Sequence, residues 1–159
     1  MAGWLDDETK HEDVRISRGS FFPPVSSARF FTEYRPPAEL PFDTVLAHLR
    51  QAAIRVCRQL DDWRKTQTVA ALAEVPAELV KEVRDGATEE RSELVLLYER
   101  AVFCEAKAEV LKETLTADRR AAAENNAKTG GETEEKYREF SADAISLIVG
   151  DDRVHVGEI

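Results

Sequence analysis

Residues Leu96 to Leu111 read LLYERAVFCEAKAEVL, and their spacing decides the fold. Apolar or small residues recur in steps of three and four at Leu94, Leu97, Ala101, Cys104, Ala108, Leu111 and Leu115. That period marks one face of a long helix. Small side chains at the centre of this seam, Ala101, Cys104 and Ala108, let a second helix approach closely along most of its length. The segment is built for packing, and it presents no reactive group.

Working outward, a second long periodicity precedes it. Val45, Leu49, Ala52, Ala53, Val56, Leu60 and Trp63 form a stripe over six turns, flanked by Leu46, Ile54 and Cys57. Asp43 is placed to cap this helix, which runs to about Thr66. Pro76 interrupts the next stretch, so 69–74 and 77–83 are at most short helices, and Asp85-Gly86 is a turn. The seam helix then starts near Thr88, with Glu89 and Glu90 at its positive end, and reaches about Leu115. A third long helix is capped by Thr133, buries Tyr137, Phe140, Ala144, Leu147 and Ile148, and stops at Gly150. The expected fold is mainly α: an up-and-down bundle with long helices at about 43–66, 88–115 and 133–149.

Three further segments frame the bundle domain, residues 25–150. Residues 1–24 read as an extended arm that ends in Phe21-Phe22-Pro23-Pro24, since adjacent prolines favour extended backbone. Two phenylalanines on an arm must dock somewhere. The chain's own body and a neighbouring subunit are equally open as the dock. Ser26 or Ser27 caps a short helix through Tyr34, and Pro36-Pro37 ends it. Residues 117–132 are ADRRAAAENNAKTGGE, where Asn and Gly pairs oppose helix, and read as a mobile connection with some helix at its start. Residues 151–159 form a tail in which Val154, His155 and Val156 alternate as in a short strand.

A chain of 159 residues buries roughly 70% of its unfolded surface as one domain. Hydrophobic content of 43% excludes the disordered class. The excess of 31 acidic over 22 basic residues, net −9, argues against nonspecific nucleic-acid binding. Arg50, Arg55, Arg58, Arg64 and Lys65 read as a solvated helix face. Cys57 and Cys104 fall at apolar helical positions and read as reduced core residues. The first residues, MAGWLDDETKHED, lack the basic and apolar regions of a secretory signal. No apolar run approaches the ~20 residues of a spanning helix.

Catalytic patterns are missing. There is no P-loop, and the only glycine pair lies in a polar connection. The three histidines are scattered: His11 in the arm, His48 on the first long helix, His155 in the tail. The one Glu-x-x-His spacing, Glu8 to His11, also lies in the arm, whereas a di-iron bundle needs two on facing helices. No metal or cofactor site is expected. Glu99 and Glu105 flank the seam and are expected to pair with Arg100 or Lys107, or with a neighbouring subunit.

The order of features resembles a known family. It comprises the Phe-Phe-Pro start, a helix with a basic stripe, LAEVPAE around Val75-Pro76, LLYERAVFCEAKAEVL, a polar connection, a helix and a terminal strand ending at Ile159. It resembles the head completion protein of contractile-tailed temperate bacteriophages, with Leu97 to Val102 as the closest stretch. The resemblance runs from about Phe21 to Ile159. The Gly130-Gly131 pair and the acidic arm before Ser20 depart from it, and leave the connection and the arm unassigned.

The resemblance implies a virion protein, made in the host cytoplasm and acting at the head–tail neck. It implies no enzymatic activity and no cofactor. The implied partners are the portal protein and a tail-side neck or tail-terminator protein. The implied assembly is a homo-oligomeric ring of about twelve copies on the portal, with heterologous contacts between two different faces. Genome DNA would pass through the ring without specific binding, and no membrane is involved. Phe21, Phe22, Arg153, Val154, Val156 and Ile159 are the expected interface residues. The tail strand seeks the edge of a partner's sheet, or pairs within its own subunit or with the arm near Val14 to Ile16. The rival reading is a small acidic cytosolic helical module that regulates a host or phage enzyme.

Overall fold

The seam helix is central, and it is apolar on more than one side. The structure is a computed structural model that describes residues 11–117 and 133–150. Its elements are β1 (Arg15–Ile16), β2 (Val25–Ser26), α1 (Ser27–Tyr34), α2 (Phe42–Lys65), a 3-10 turn (Leu72–Glu74), β3 (Leu79–Arg84), β4 (Ala87–Ser92), α3 (Glu93–Ala117) and α4 (Glu134–Val149). The fold is mainly helical, with two small antiparallel sheets, β1–β2 and β3–β4.

In α3, Ala101, Val102, Phe103 and Cys104 are consecutive and all buried. Four successive helical residues point about 100° apart, so α3 must be covered on every side there. The cover comes from three directions. Tyr98 meets Phe22 and Cys57, Phe103 meets Phe30 and Tyr34 of α1, and Ala101 meets Ser141 of α4. The expected seam is buried or partly buried from Leu94 to Leu111, and the side chain of Leu115 lies outside the described residues. A second apolar face, Tyr98, Val102, Phe103, Ala106 and Val110, joins it.

Paired contacts fix the helix directions. Moving up α2 through His48, Arg55 and Cys57, the partners on α3 descend through Glu113, Glu105 and Tyr98. Moving up α4 through Arg138 and Ser141, the partners descend through Glu109 and Ala101. Both helices therefore run antiparallel to α3. The stripe of α2 is buried from Val45 to Leu60, while Trp63 and Ile54 are half-buried.

The termini of the helices agree with the sequence in most cases. Ser26 Oγ accepts from Arg29 N at α1, and Thr133 Oγ1 accepts from Lys136 N at α4. Gly150 ends α4 with φ 80°, a left-handed conformation that glycine adopts without strain. At α2 the expectation fails. Pro41 is the cap residue, with no side-chain bond, and Asp43 sits inside the first turn, where its charge meets the helix dipole.

Two larger differences separate the structure from the sequence expectation. Residues 79–92 form a β-hairpin, and α3 starts at Glu93, five residues after the expected Thr88. Asp85 and Gly86 have φ 53° and 80°, the pair of positive angles that a tight hairpin turn requires. Glu89 and Glu90 are therefore strand residues, and Ser92 Oγ accepts the Leu94 N–H at the true helix start. The second difference is on α4. Ser141, Ala144 and Ile148 are buried, Tyr137 and Phe140 are half-buried, and Leu147 is 51% exposed. The α3-facing side is narrower than its apolar residues suggested.

Residues 11–24 lie against the body. Arg15 and Ile16 pair with Ser26 and Val25, and Asp13 accepts from Ser26 Oγ (2.6 Å) and Ala28 N (3.1 Å). Phe22 stacks on Tyr98, and Phe21 meets Trp63 edge-on with the Arg64 guanidinium over its ring. Of the two docks left open for these rings, the structure uses the chain's own body. The expected mobile connection lies largely outside the described residues, and the C-terminal strand wholly so.

Candidate interaction surfaces

The hairpin is the most exposed element of the described structure. Its register pairs Leu79 with Ser92 and Arg84 with Ala87, so residues alternate between two faces. Val80, Glu82 and Arg84 turn toward the body: Val80 lines a groove with Leu97 and Leu147, and the other two line a cleft against α1. Leu79, Lys81 and Val83 turn away. Leu79 is 62% and Val83 68% exposed, on either side of a Lys81–Glu90 ion pair across the strands. A two-stranded ribbon that shows apolar side chains to water is marginal by itself. Its ladder continues one rung beyond Leu79–Ser92, where Glu93 N donates to Glu78 O (2.9 Å).

The groove beside it is apolar. Val80, Leu96, Leu97 and Leu147 line about 380 Å³ together with Glu93 and Arg100. Val149, two residues further along α4, is also exposed. The cleft between α1 and the hairpin is larger, about 560 Å³, and charged. Arg29 reaches Glu99 (3.4 Å) and Glu33 (3.8 Å) there, and burial pushes the Glu33 carboxyl up from its ordinary range. At the far end of α1, His11 stacks on Phe42 (4.0 Å) over a groove edged by Pro36, Pro37 and Pro41.

Charge inside the bundle is paired within the chain. Glu105 and Glu109 of α3 face Arg55 of α2 and Arg138 of α4. Arg138 lies 3.0 Å from Glu105, contacts Glu109, and meets Glu134 one turn back at 2.7 Å. Burial raises the Glu109 carboxyl, but hydrogen bonds from Arg138 and Arg55 outweigh it and hold the group below the usual carboxylate range. Glu99 pairs with Arg91 (2.8 Å) and Arg29. Lys107 donates to the carbonyls of Tyr34 and Arg35. Thus Glu99 and Glu105 are paired as expected, with partners on other elements in place of Arg100 and Lys107. Arg138, Arg55 and Arg29 lie 33, 50 and 70 residues from the glutamates they meet, and no local spacing reveals them.

The remaining candidate groups are structural in their surroundings. Cys57 and Cys104 are buried free thiols beside the hydroxyls of Tyr98 and Tyr34, and burial pushes both thiols up. His48 is half-buried and bonded to Glu113 at 2.5 Å. Among the described residues, no group of three or more His, Cys, Asp or Glu could hold a metal, and no helix is long and apolar enough to cross a membrane. Of the expected interface residues, Phe21 and Phe22 are core, and Arg153, Val154, Val156 and Ile159 lie outside the described residues. Among the described residues, the exposed large apolar side chains are instead on the hairpin and the end of α4.

A family described as Phage head completion protein (GPL) matches residues 16–159. Comparison with curated proteins and with solved structures finds no match.

Proposed function

The chain belongs to the phage head completion family, and we propose that it forms a ring beneath the portal that closes the DNA-filled head and joins it to the tail-side neck proteins. The family role is structural, in completing the phage head, and a protein of this family belongs in the virion. The ring, the portal contact and the neck contact are our extension of that role. The single observation that carries it is the family match over nearly the whole chain.

The geometry supports the same reading. The ion pairs and the aromatic contacts around α3 are made within one subunit, save one buried nitrogen of Arg91 that has no partner among the described residues, so each copy has a folded body to contribute. Among the described residues, exposed apolar side chains for contact lie on the projecting hairpin, with Leu79 and Val83, and at the end of α4, with Leu147 and Val149. A ring needs two different faces that fit each other. The hairpin lies at the start of α3, and the proline-edged groove lies toward its other end, beside α1 and the start of α2. Such faces at opposite ends suit head-to-tail contact. A net charge of −9 suits a conduit, because a negative lumen repels DNA phosphates and lets the genome slide.

Withholding the protein during phage growth tests the role. Heads should fill but fail to join tails, and supplying the intact chain should restore joining. Normal yields of joined particles without the chain contradict the proposal.

A further inference from the structure

We propose that the chain's own C-terminal segment, residues 151–159, covers the free edge of β3 and the apolar groove next to it. The hydrogen-bond pattern of the hairpin leaves that edge open. Around a two-residue turn, the flanking pair Arg84–Ala87 is hydrogen-bonded, and bonded pairs then alternate. Val80 and Glu82 therefore bond toward β4, a pattern continued by the Glu93 N to Glu78 O bond at the base. The N–H and C=O groups of Leu79, Lys81 and Val83 point the other way. Among the described residues no main-chain bond reaches them. An edge of this length beside exposed apolar side chains invites a third strand.

The end of α4 selects the occupant. β3 faces α4 across the groove, which Val80 lines with Leu147 while no β4 residue does. The described structure stops at Gly150, one turn beyond Leu147, with a left-handed conformation that ends the helix there. Nine residues come after it, with an extended reach of about 30 Å. With Asp151 and Asp152 as the connection, the seven residues Arg153 to Ile159 are long enough to run beside the six of β3. Val154 and Val156 fall on one face of such a strand and Ile159 on the other. Apolar neighbours exist on both faces of β3: Val80 inward, Leu79 and Val83 outward. The other described sheet, β1–β2, is two residues long and offers too short an edge.

Hydrogen–deuterium exchange on the full chain, and on a variant ending at Gly150, tests this. The Leu79, Lys81 and Val83 amides should exchange at least tenfold more slowly in the full chain. A synthetic peptide of residues 151–159 should restore slow exchange to the shortened chain. A full-length Val154→Asp/Val156→Asp variant should lose protection at β3 while its helical circular dichroism is unchanged, which keeps the test valid if the shortened chain folds poorly. Equal, fast exchange in both chains overturns the proposal. So does protection that rises with protein concentration, which assigns the edge to a second copy. Protection that appears only when a purified portal ring is added overturns it as well, and assigns the edge to the portal.

Discussion

Ser141 Oγ on α4 donates to the main-chain carbonyl of Ala101 on α3 at 2.8 Å, and both residues are buried. A side chain as short as serine reaches the neighbouring backbone only where the facing residue is small. Ala101 and Ala108 are fully buried. Ala101→Glu or Ala108→Glu should destabilise the protein by about 3 kcal/mol or more, since a charge would enter a packed interface without a partner. Denaturant unfolding measures this. An unchanged midpoint for either variant contradicts the packing described.

Phe22 should behave as a core residue. It is 2% exposed and stacked on Tyr98. Phe22→Ala should cost about 3–5 kcal/mol in thermal or denaturant unfolding of the isolated protein. A loss of assembly with no loss of stability would point to an interface role and contradict the placement.

Arg138 holds two α3 carboxylates at once. Arg138→Met should cost about 1–3 kcal/mol, less than a fully buried pair because a third of the arginine side chain is exposed. Adding Glu109→Gln should recover part of that loss if the two residues act as a unit. The pH dependence has a definite sign. The Glu109 carboxyl titrates below its ordinary value of 4.5 in the folded state. Its contribution is therefore full above that value, and is lost as pH falls through the lower folded one. The parent should lose stability below about pH 4.5 more steeply than Glu109→Gln. Parallel curves contradict the pairing.

DNA affinity should be weak. With a net charge of −9 and the arginines facing α3 engaged by carboxylates, the chain offers little phosphate-neutralising surface. Electrophoretic mobility shift at physiological salt should show no duplex binding by the isolated protein. Tight, salt-sensitive binding contradicts the conduit picture.

The sequence made the helices legible because their apolar residues repeat at 3.6 over many turns, as from Val45 to Leu60. The hairpin was hidden for a physical reason. Leu79, Val80 and Val83 mixed with Lys and Glu fit a helix period as well as a strand, and Glu89 and Glu90 suit a helix start. The better signal was Asp85-Gly86 between two stretches carrying Val80, Val83 and Thr88, which is hairpin chemistry. Spacing puts Leu147 inside, yet an apolar residue at the margin of a helix face is exposed when that helix packs mainly on one neighbour. The dock of Phe21 and Phe22, open between two choices in the sequence, is hidden for a related reason: Trp63 and Tyr98, which provide it, lie far along the chain. Such long-range pairing leaves no local spacing.

The ring is tested most directly by negative-stain electron microscopy of purified portal rings, imaged alone and after mixing with the protein. The account predicts an added closed ring of density at one end of the portal, with subunits in the portal's own symmetry. Portal rings that look the same with and without the protein, at concentrations well above those needed for assembly, contradict it and return the chain to the reading of a small acidic binding module.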